Sequence, residues 1–284
     1  MKNEYSYFYG DTGISIQDVQ EVELEMLIEF DRICRLHGLP YQLFAGTLLG
    51  AVRHKAFIPW DDDIDVAMRR CDYDKFIEYC QKDLGQEYFL QTCFSDPTSI
   101  IQFAKIRKNG TRYENEVDNL PTSNTGIWID IFPLDNVKEE SLAAKIQRFQ
   151  IQLLYAITTS SVKTRVSISP KRWKRIARKG FSIMLKIVPK KDIDKSLLKV
   201  FTRYNREDTK FISHLTMGGR KKEYHGYMQK ASDFISLKEF EFCGHEFLGP
   251  CNYDEVLRNI YGNYMELPPV EKRIPMHGVT VVKI

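Results

Sequence analysis

Aspartates crowd into one short stretch, residues 61–65, which has the sequence DDDID and continues into apolar residues. Because the side chains of a strand alternate between its two faces, Asp63 and Asp65 are expected to point the same way. Neighbouring carboxylates repel each other and each is costly to desolvate, and a divalent cation relieves both penalties. Hard oxygen ligands on a rigid strand suit Mg²⁺ or Mn²⁺. The spacing therefore predicts a metal site on Asp63 and Asp65, with a solvated acidic loop as the plainer alternative.

A further aspartate, Asp130, stands inside the apolar sequence GIWIDIF at residues 126–132. Apolar neighbours predict a largely buried strand, in which a carboxylate needs a partner. An adjacent strand carrying Asp63 and Asp65, bridged to it through a metal, would meet that need, and a hydrogen bond to backbone or to an arginine is the alternative. We expect Asp63, Asp65 and Asp130 to be the catalytic and metal-binding carboxylates.

The two aspartates that precede this pair allow other interpretations. Asp61 has the same parity as Asp63, so it is either a further ligand or a turn residue. The turn is favoured, because the strand is expected to begin near Asp63. Asp62 has the opposite parity and is expected to point away into solvent.

Features suited to phosphate binding surround the aspartates. Gly46 and Thr47 are expected to follow a strand and open a short helix, whose first N–H groups can bind a phosphate. This pair alone is a weak signal, but an Asp-x-Asp strand that starts 16 residues after Thr47 makes the pattern much stronger. A solvated sheet edge is the alternative for Lys105 and Arg107, and a surface loop is the alternative for the C-terminal group. The basic side chains expected near such a phosphate are Arg53, His54, Lys105, Arg107, Lys272, Arg273 and His277.

The elements that must position these residues follow from hydrophobic spacing and capping. Ser15, with Asp18 three residues further on, can cap a helix over 15–37 that Gly38 ends. The pattern as a whole predicts an α+β fold, with an α/β-like arrangement as the alternative, and a catalytic core over 1–138 followed by a mostly helical region over 139–284. Strands are predicted at 41–45, 64–68, 87–93, 100–107 and 126–132, helices at 46–54 and 72–84, and helical structure from about residue 139.

Basic charge is concentrated in residues 163–191, which hold 11 Lys or Arg and no Asp or Glu. The chain has 41 basic and 38 acidic residues, so subtracting these 11 leaves 30 basic against 38 acidic elsewhere. Apolar residues recur at helical spacing from about Pro170 to Val188. We predict a basic amphipathic helix that lies on an anionic membrane surface, with a helix packed on the core as the alternative. Nucleic acid is not an expected partner, because stacking aromatics are few.

Composition excludes several classes of protein. A chain of 284 residues can bury a core without staples. No apolar run approaches the ~18–20 residues that cross a bilayer, and the N-terminus lacks the basic and apolar regions of a signal peptide. Six cysteines without CxxC spacing argue against a disulfide framework and a zinc ribbon. We expect a cytoplasmic protein, peripheral at the inner face of the membrane.

The longest motifs resemble the LicD family of phosphocholine transferases, whose distant relatives include fukutin and fukutin-related protein. The resemblance covers about 15–135 and 255–278. It implies a nucleotidyltransferase-type mixed sheet flanked by helices, with Asp63, Asp65 and Asp130 on the metal and the turn at Gly46 and Thr47 on the phosphates. The motifs are GTLLGAVRHKAFIPWDDDIDVAM at 46–68, GIWIDIFPLD at 126–135 and LPPVEKRIPMH at 267–277.

The resemblance also implies a reaction. Phosphocholine would pass from CDP-choline to a hydroxyl of a lipid-linked glycan acceptor, a precursor of teichoic acid, lipopolysaccharide or capsule, with Mg²⁺ or Mn²⁺ and release of CMP. The alternatives are another CDP-alcohol (ribitol, glycerol or ethanolamine), nucleotidyl transfer from an NTP, and a membrane-surface scaffold that only binds a divalent ion. Aromatic faces recognise a quaternary ammonium group, and the candidate choline contacts are Tyr41, Phe44, Phe57, Trp60 and Trp128.

Overall fold

The computed structural model describes residues 7–114, 124–161, 188–279 and 281–284. The helices are α1 (Ile16–Leu36), α2 (Ala45–His54), α3 (Arg70–Asp83), α4 (Leu142–Ser161), α5 (Lys190–Phe201), α6 (Lys221–Gly226) and α7 (Tyr253–Tyr261). The strands are β1 (Gln42–Leu43), β2 (Asp65–Arg69), β3 (Tyr88–Gln91), β4 (Ala104–Lys108), β5 (Arg112–Glu114), β6 (Trp128–Val137), β7 (Phe211–His214), β8 (Gln229–Lys230), β9 (Leu237–Phe242), β10 (His245–Pro250) and β11 (Val281–Lys283).

Helix α1 begins where its sequence signals predict. The backbone N–H of Asp18 donates to Ser15 Oγ, and the Ser15 N–H donates back to the Asp18 carboxylate, which makes a capping box. Its apolar side, with Met26 and Phe30 fully buried, packs on the central sheet and on α3. The helix ends at Leu36, just before Gly38 at φ 62°. This prediction is confirmed.

The central sheet is mixed, and its strand order is β1-β2-β6-β4-β3. Strands β2 and β6 are parallel, with Asp65 opposite Asp130, and the other pairs are antiparallel. Strand β7 pairs with the second half of β6, beyond the part that β4 covers, and β8 pairs with β7. The α+β fold is confirmed.

The two faces of the sheet have different roles, because side chains alternate along each strand. Ile129 and Ile131 of β6 join the large core that includes residues of α1 and α3. Asp130 and Phe132 therefore point to the opposite face. This alternation explains how a carboxylate can stand in an apolar strand: the apolar residues on either side of Asp130 point to the core, and Asp130 points to the other face.

The second half of the chain contributes both helix and strand. Helices α4 and α5 pack together around Leu197 and Phe201, while β7 and β8 extend the central sheet and β9 and β10 form a hairpin. The division at residue 138 stays a prediction. Most of the basic segment 163–191, including its predicted helix, lies outside the described residues. No helix in the described part of the chain is long and apolar enough to span a bilayer.

Candidate active site

Three carboxylates meet at one end of the β2–β6 pair. One oxygen each from Asp63, Asp65 and Asp130 lies within 4.8 Å of the others. The parallel register that sets Asp65 opposite Asp130 produces this meeting, and Asp63 lies two residues before Asp65 on the same side of the chain. The structure thus brings together the three carboxylates that the sequence singles out.

The cluster carries a concentrated negative charge. Burial and then the charge of Asp63 raise the pKa of the Asp65 carboxyl well above its usual range. Burial also raises the pKa of Asp63, against the opposing effect of His277. Lys105 Nζ lies 2.9 Å from Asp130 Oδ1, with only 4% of its side chain exposed. A set of oxygen donors held close against their own repulsion fits a divalent cation of the Mg²⁺ or Mn²⁺ type.

Asp61 is a turn residue and also part of the cluster. Its N–H donates to the carbonyl of Ile58 at 2.9 Å, as expected of a turn. Its carboxyl has a pKa raised well above the usual range by burial and by Asp63. A Cβ added to Gly46 would come 2.6 Å from Asp61 Oδ2. Glycine at position 46 therefore lets the first turn of α2 approach this carboxyl closely.

Asp62 is fully buried, and the expectation that it is solvated is wrong. Its carboxylate accepts hydrogen bonds from Tyr113 Oη at 3.1 Å and from the Met276 N–H at 3.2 Å. It also lies 2.9 Å from His277 Nδ1. Its side chain faces the C-terminal segment, residues 264–277, and one of its oxygens lies within 4.8 Å of ligand atoms of Asp63 and His277.

His277 links that C-terminal segment to the carboxylate cluster. Its Nε2 lies 3.6 Å from Asp63 Oδ2, and its ring meets the Trp128 ring edge-on at 5.7 Å. Burial disfavours a charge on the imidazole, but the bond to Asp62 and the charge of Asp63 outweigh it and raise the pKa of His277 to about 9. A plain surface loop does not describe this position.

The first turn of α2 adjoins the cluster as the sequence predicts. Thr47 Oγ1 accepts a hydrogen bond from the N–H of Asp65 at 2.8 Å, so this hydroxyl braces the start of β2. Among the described residues, no side chain caps the N-terminus of α2 at Phe44. Gly46 and Thr47 therefore lie beside the carboxylates, in the turn whose N–H groups are suited to a phosphate.

The other predicted cations have different surroundings. Arg107 is only 2% exposed, so it is not part of a solvated edge, and its Nη1 donates to the Gly126 carbonyl at 2.8 Å. Arg53 donates to the Tyr264 carbonyl at 2.6 Å and to Nε2 of His54 at 2.9 Å. The contact with Tyr264 attaches α2 to the C-terminal segment, whereas the contact with His54 lies within α2.

Lys272 and Arg273 also lie in the C-terminal segment. Lys272 is exposed. The Arg273 guanidinium lies over the Trp60 ring at 5.6 Å, and its Nε donates to the carbonyl of Pro268 at 2.9 Å. Of these two basic residues, Arg273 is therefore the one that the structure places against an aromatic ring, that of Trp60.

The aromatic candidates separate into two groups. Tyr41 is fully buried in the main core, where its ring packs on Phe30 and its hydroxyl donates to Asp31. Phe57 packs on Phe242. The Trp128 ring centroid, in contrast, lies 4.1 Å from Lys105 Nζ. Phe44 occupies the N-cap position of α2, where its N–H donates to the carbonyl of Asp65 at 3.0 Å. The structure does not bring Tyr41 and Phe57 to the carboxylates, because their contacts are with the core.

Sequence reasoning missed a second set of rings next to the carboxylates. Phe132 could have been found, since it has the parity of Asp130 two residues later on β6. Phe103 could also have been found, since it has the parity of Lys105 in the strand predicted at 100–107. His214 and Tyr227 gave no local signal, because β7 and the loop around residue 227 approach only through the tertiary fold.

Comparison with known proteins adds an independent result. Residues 38–150 match the family described as LicD/FKTN/FKRP, nucleotidyltransferase domain. The lipopolysaccharide cholinephosphotransferase LicD of Haemophilus influenzae is 28% identical over 274 residues, which cover 93% of this chain and 96% of that protein. The matched range contains α2 and the strands that carry Asp65 and Asp130.

Proposed function

The chain belongs to the LicD family, and we propose that it is a phosphotransferase that moves phosphocholine from CDP-choline to a hydroxyl of a cell-surface glycan precursor. CMP is the leaving group. The observation that carries the proposal is the meeting of Asp63, Asp65 and Asp130 beside the first turn of α2. The similarity to a cholinephosphotransferase supports the choice of donor.

The three carboxylates are the proposed ligands of Mg²⁺ or Mn²⁺. When bound there, the cation polarises the attacked phosphorus and balances charge on the departing CMP. Lys105, 2.9 Å from Asp130, holds that carboxylate and adds positive charge at the same place. The first turn of α2 offers its N–H groups to the phosphates.

The transfer balances without any further reactant. The acceptor oxygen forms a bond to the phosphorus that bears choline, and the bond from that phosphorus to the bridging oxygen of CMP breaks. The hydroxyl proton passes to a carboxylate of the cluster.

The acceptor is proposed to be lipid-linked and to be reached at the inner face of the membrane. Helix α4 supports this, because its sequence has no acidic residue and its outer side exposes a line of apolar residues. The basic segment 163–191 follows in the chain. A surface that combines apolar side chains with positive charge suits anionic lipid. The exposed line consists of Leu142, Ile146, Phe149 and Leu153.

Product analysis tests the proposed reaction. Protein incubated with CDP-choline, Mg²⁺ and a glycan acceptor should release CMP in step with phosphocholine transfer. Pyrophosphate release from an NTP would indicate nucleotidyl transfer instead. Absence of turnover with every CDP-alcohol and every NTP would indicate a scaffold that only binds a divalent ion.

Vesicle co-sedimentation tests the location. Wild-type protein should bind anionic vesicles at low salt and be released at high salt, because charges near the surface are screened over ~8–10 Å. Ile146→Ser combined with Phe149→Ser should weaken this binding. Equal binding to neutral and anionic vesicles would contradict the electrostatic part of the proposal.

A further inference from the structure

The sheet face that carries the carboxylates continues into a group of aromatic rings. Along β6, Phe132 follows Asp130 on the same face, and Leu134 stands opposite His214 of β7. Phe44 precedes α2 and is hydrogen-bonded through its N–H to the carbonyl of Asp65 at 3.0 Å. The proposed metal site and these rings therefore occupy one continuous surface of the sheet.

Five rings on this surface lie in contact with one another. The Phe44 centroid lies 5.8 Å from that of Phe132 and 5.4 Å from that of Tyr227. Phe103 lies 4.6 Å from Phe132. The imidazole of His214 is 4.3 Å from Phe132 and 5.8 Å from Tyr227. We call these five residues, Phe44, Phe103, Phe132, His214 and Tyr227, the aromatic box.

The imidazole in the box is neutral and has an unused polar atom. His214 is 3% exposed, and its Nδ1 lies 3.0 Å from Thr216 Oγ1. Its Nε2 has no hydrogen-bond partner among the described residues. Burial, and then the charge of Arg70, lower the pKa of His214 to about 3. A cation placed against the box would therefore meet a neutral ring rather than a like charge.

The box adjoins the carboxylates on two sides. Phe44 joins it to the start of α2, where the phosphates are proposed to bind. Lys105 Nζ, which pairs with Asp130, lies 5.6 Å from the Phe103 centroid. Phe44, Phe103 and Phe132 are almost fully buried, whereas Tyr227 is half-buried and forms the accessible side.

From this arrangement we propose that the aromatic box binds the trimethylammonium head of the donor and selects choline among CDP-alcohols. The inference rests on the proposed function, since it assigns the head group of the same donor. A trimethylammonium group has no N–H to donate, so π faces recognise it without acidic or amide partners. An ammonium of ethanolamine or the hydroxyls of a polyol would need hydrogen bonds that rings do not supply.

The test separates cation recognition from simple packing. Isothermal titration calorimetry of the full chain with Mg²⁺ would compare CDP-choline with the CDP ester of 3,3-dimethylbutanol, its neutral isostere. Tyr227→Leu keeps an apolar side chain but removes the π face. We expect it to weaken CDP-choline binding about ten-fold and to change binding of the neutral isostere much less.

Two variants serve as controls, and a third protects the test against misfolding. Tyr227→Phe keeps the ring and should bind CDP-choline like the wild type. Phe94→Leu removes an exposed ring outside the box, at 50% exposure, and should change nothing. If Tyr227→Leu does not fold, Phe132→Leu should give the same preferential loss of CDP-choline binding.

Several results would overturn the inference. An equal loss for CDP-choline and its neutral isostere would mean that the box only packs against the ligand. Tighter wild-type binding of CDP-ethanolamine or CDP-ribitol than of CDP-choline would show that it does not select choline. In that second case, release of CMP from the preferred donor would still support the proposed transfer from a CDP-alcohol, with a head group other than choline. Absence of CMP release from every donor would overturn the proposed function itself.

Discussion

Two buried aspartates on strand β6, Asp130 and Asp135, have opposite electrostatic surroundings. Asp135 is fully buried, and the guanidinium of Arg70 donates two hydrogen bonds to its carboxylate, of 2.9 and 2.8 Å. The side-chain amide of Asn205 donates a third at 2.7 Å. Asp130 has one cationic partner, Lys105 Nζ at 2.9 Å, but it shares its surroundings with Asp63 and Asp65, so the negative charges there outnumber the positive one.

The difference teaches how to distinguish a structural carboxylate from a functional one. A buried charge that protein groups neutralise fully needs no further ligand and has a structural role. Removing its partner leaves an uncompensated charge in the interior. A buried group of like charges works against folding unless something else binds it. Asp135 is of the first kind, and we infer that Asp130 is of the second.

The largest expected effect is on activity at the carboxylate cluster. Asp65→Asn or Asp63→Asn should lower phosphocholine transfer on the order of 10²-fold or more, because charge stabilisation at the reacting phosphorus is lost. The free energy of unfolding should hold or rise, since one of several repelling charges is removed. Initial rates at saturating Mg²⁺, with thermal midpoints alongside, measure both effects. Near-wild-type turnover would remove these residues from the site.

The next effect is on stability at the other end of β6. Asp135→Asn leaves the buried guanidinium of Arg70 with only the exposed carboxylate of Asp74, 3.7 Å away, so unfolding should become easier by about 3 kcal/mol. Activity per folded molecule should change far less than in Asp65→Asn. Urea unfolding followed by circular dichroism gives the free energy. An unchanged midpoint would mean that the Arg70–Asp135 pair contributes nothing to the fold.

A smaller effect is expected where α2 approaches the cluster. Gly46→Ala places a methyl group 2.6 Å from Asp61 Oδ2, so that carboxyl or the helix start must shift. We expect transfer to fall about ten-fold, since displacement of binding groups by about 1 Å has large kinetic effects. Gly226→Ala is the matched control, because an added Cβ there meets nothing within 4 Å. Equal activity in the two variants would contradict this role of Gly46.

The parts of the molecule that could be predicted from sequence are those with local causes. The capping box of α1 lies within four residues, and the shared face of Asp63 and Asp65 follows from strand parity. Asp130 was identifiable because a charge inside an apolar strand requires a partner. Each of these inferences needs only a few neighbouring residues.

The parts that were missed depend on distant segments. Asp62 was expected in solvent because nothing near it in sequence shows that Met276 and His277 cross over it. The aromatic box likewise needs β7, which joins β6 from 80 residues away at Leu134 and His214. Parity gives the direction of a side chain, but only the tertiary fold decides what lies in that direction.

The central claim, that the Asp130 end of β6 binds a divalent cation and the Asp135 end does not, is tested most directly by thermal unfolding with and without Mg²⁺. A cation that binds only the folded state raises the unfolding midpoint by mass action. Wild type and Asp135→Asn should both gain stability with Mg²⁺, the latter from a lower starting midpoint, whereas Asp130→Asn should gain none. Full Mg²⁺ protection of Asp130→Asn would contradict the claim.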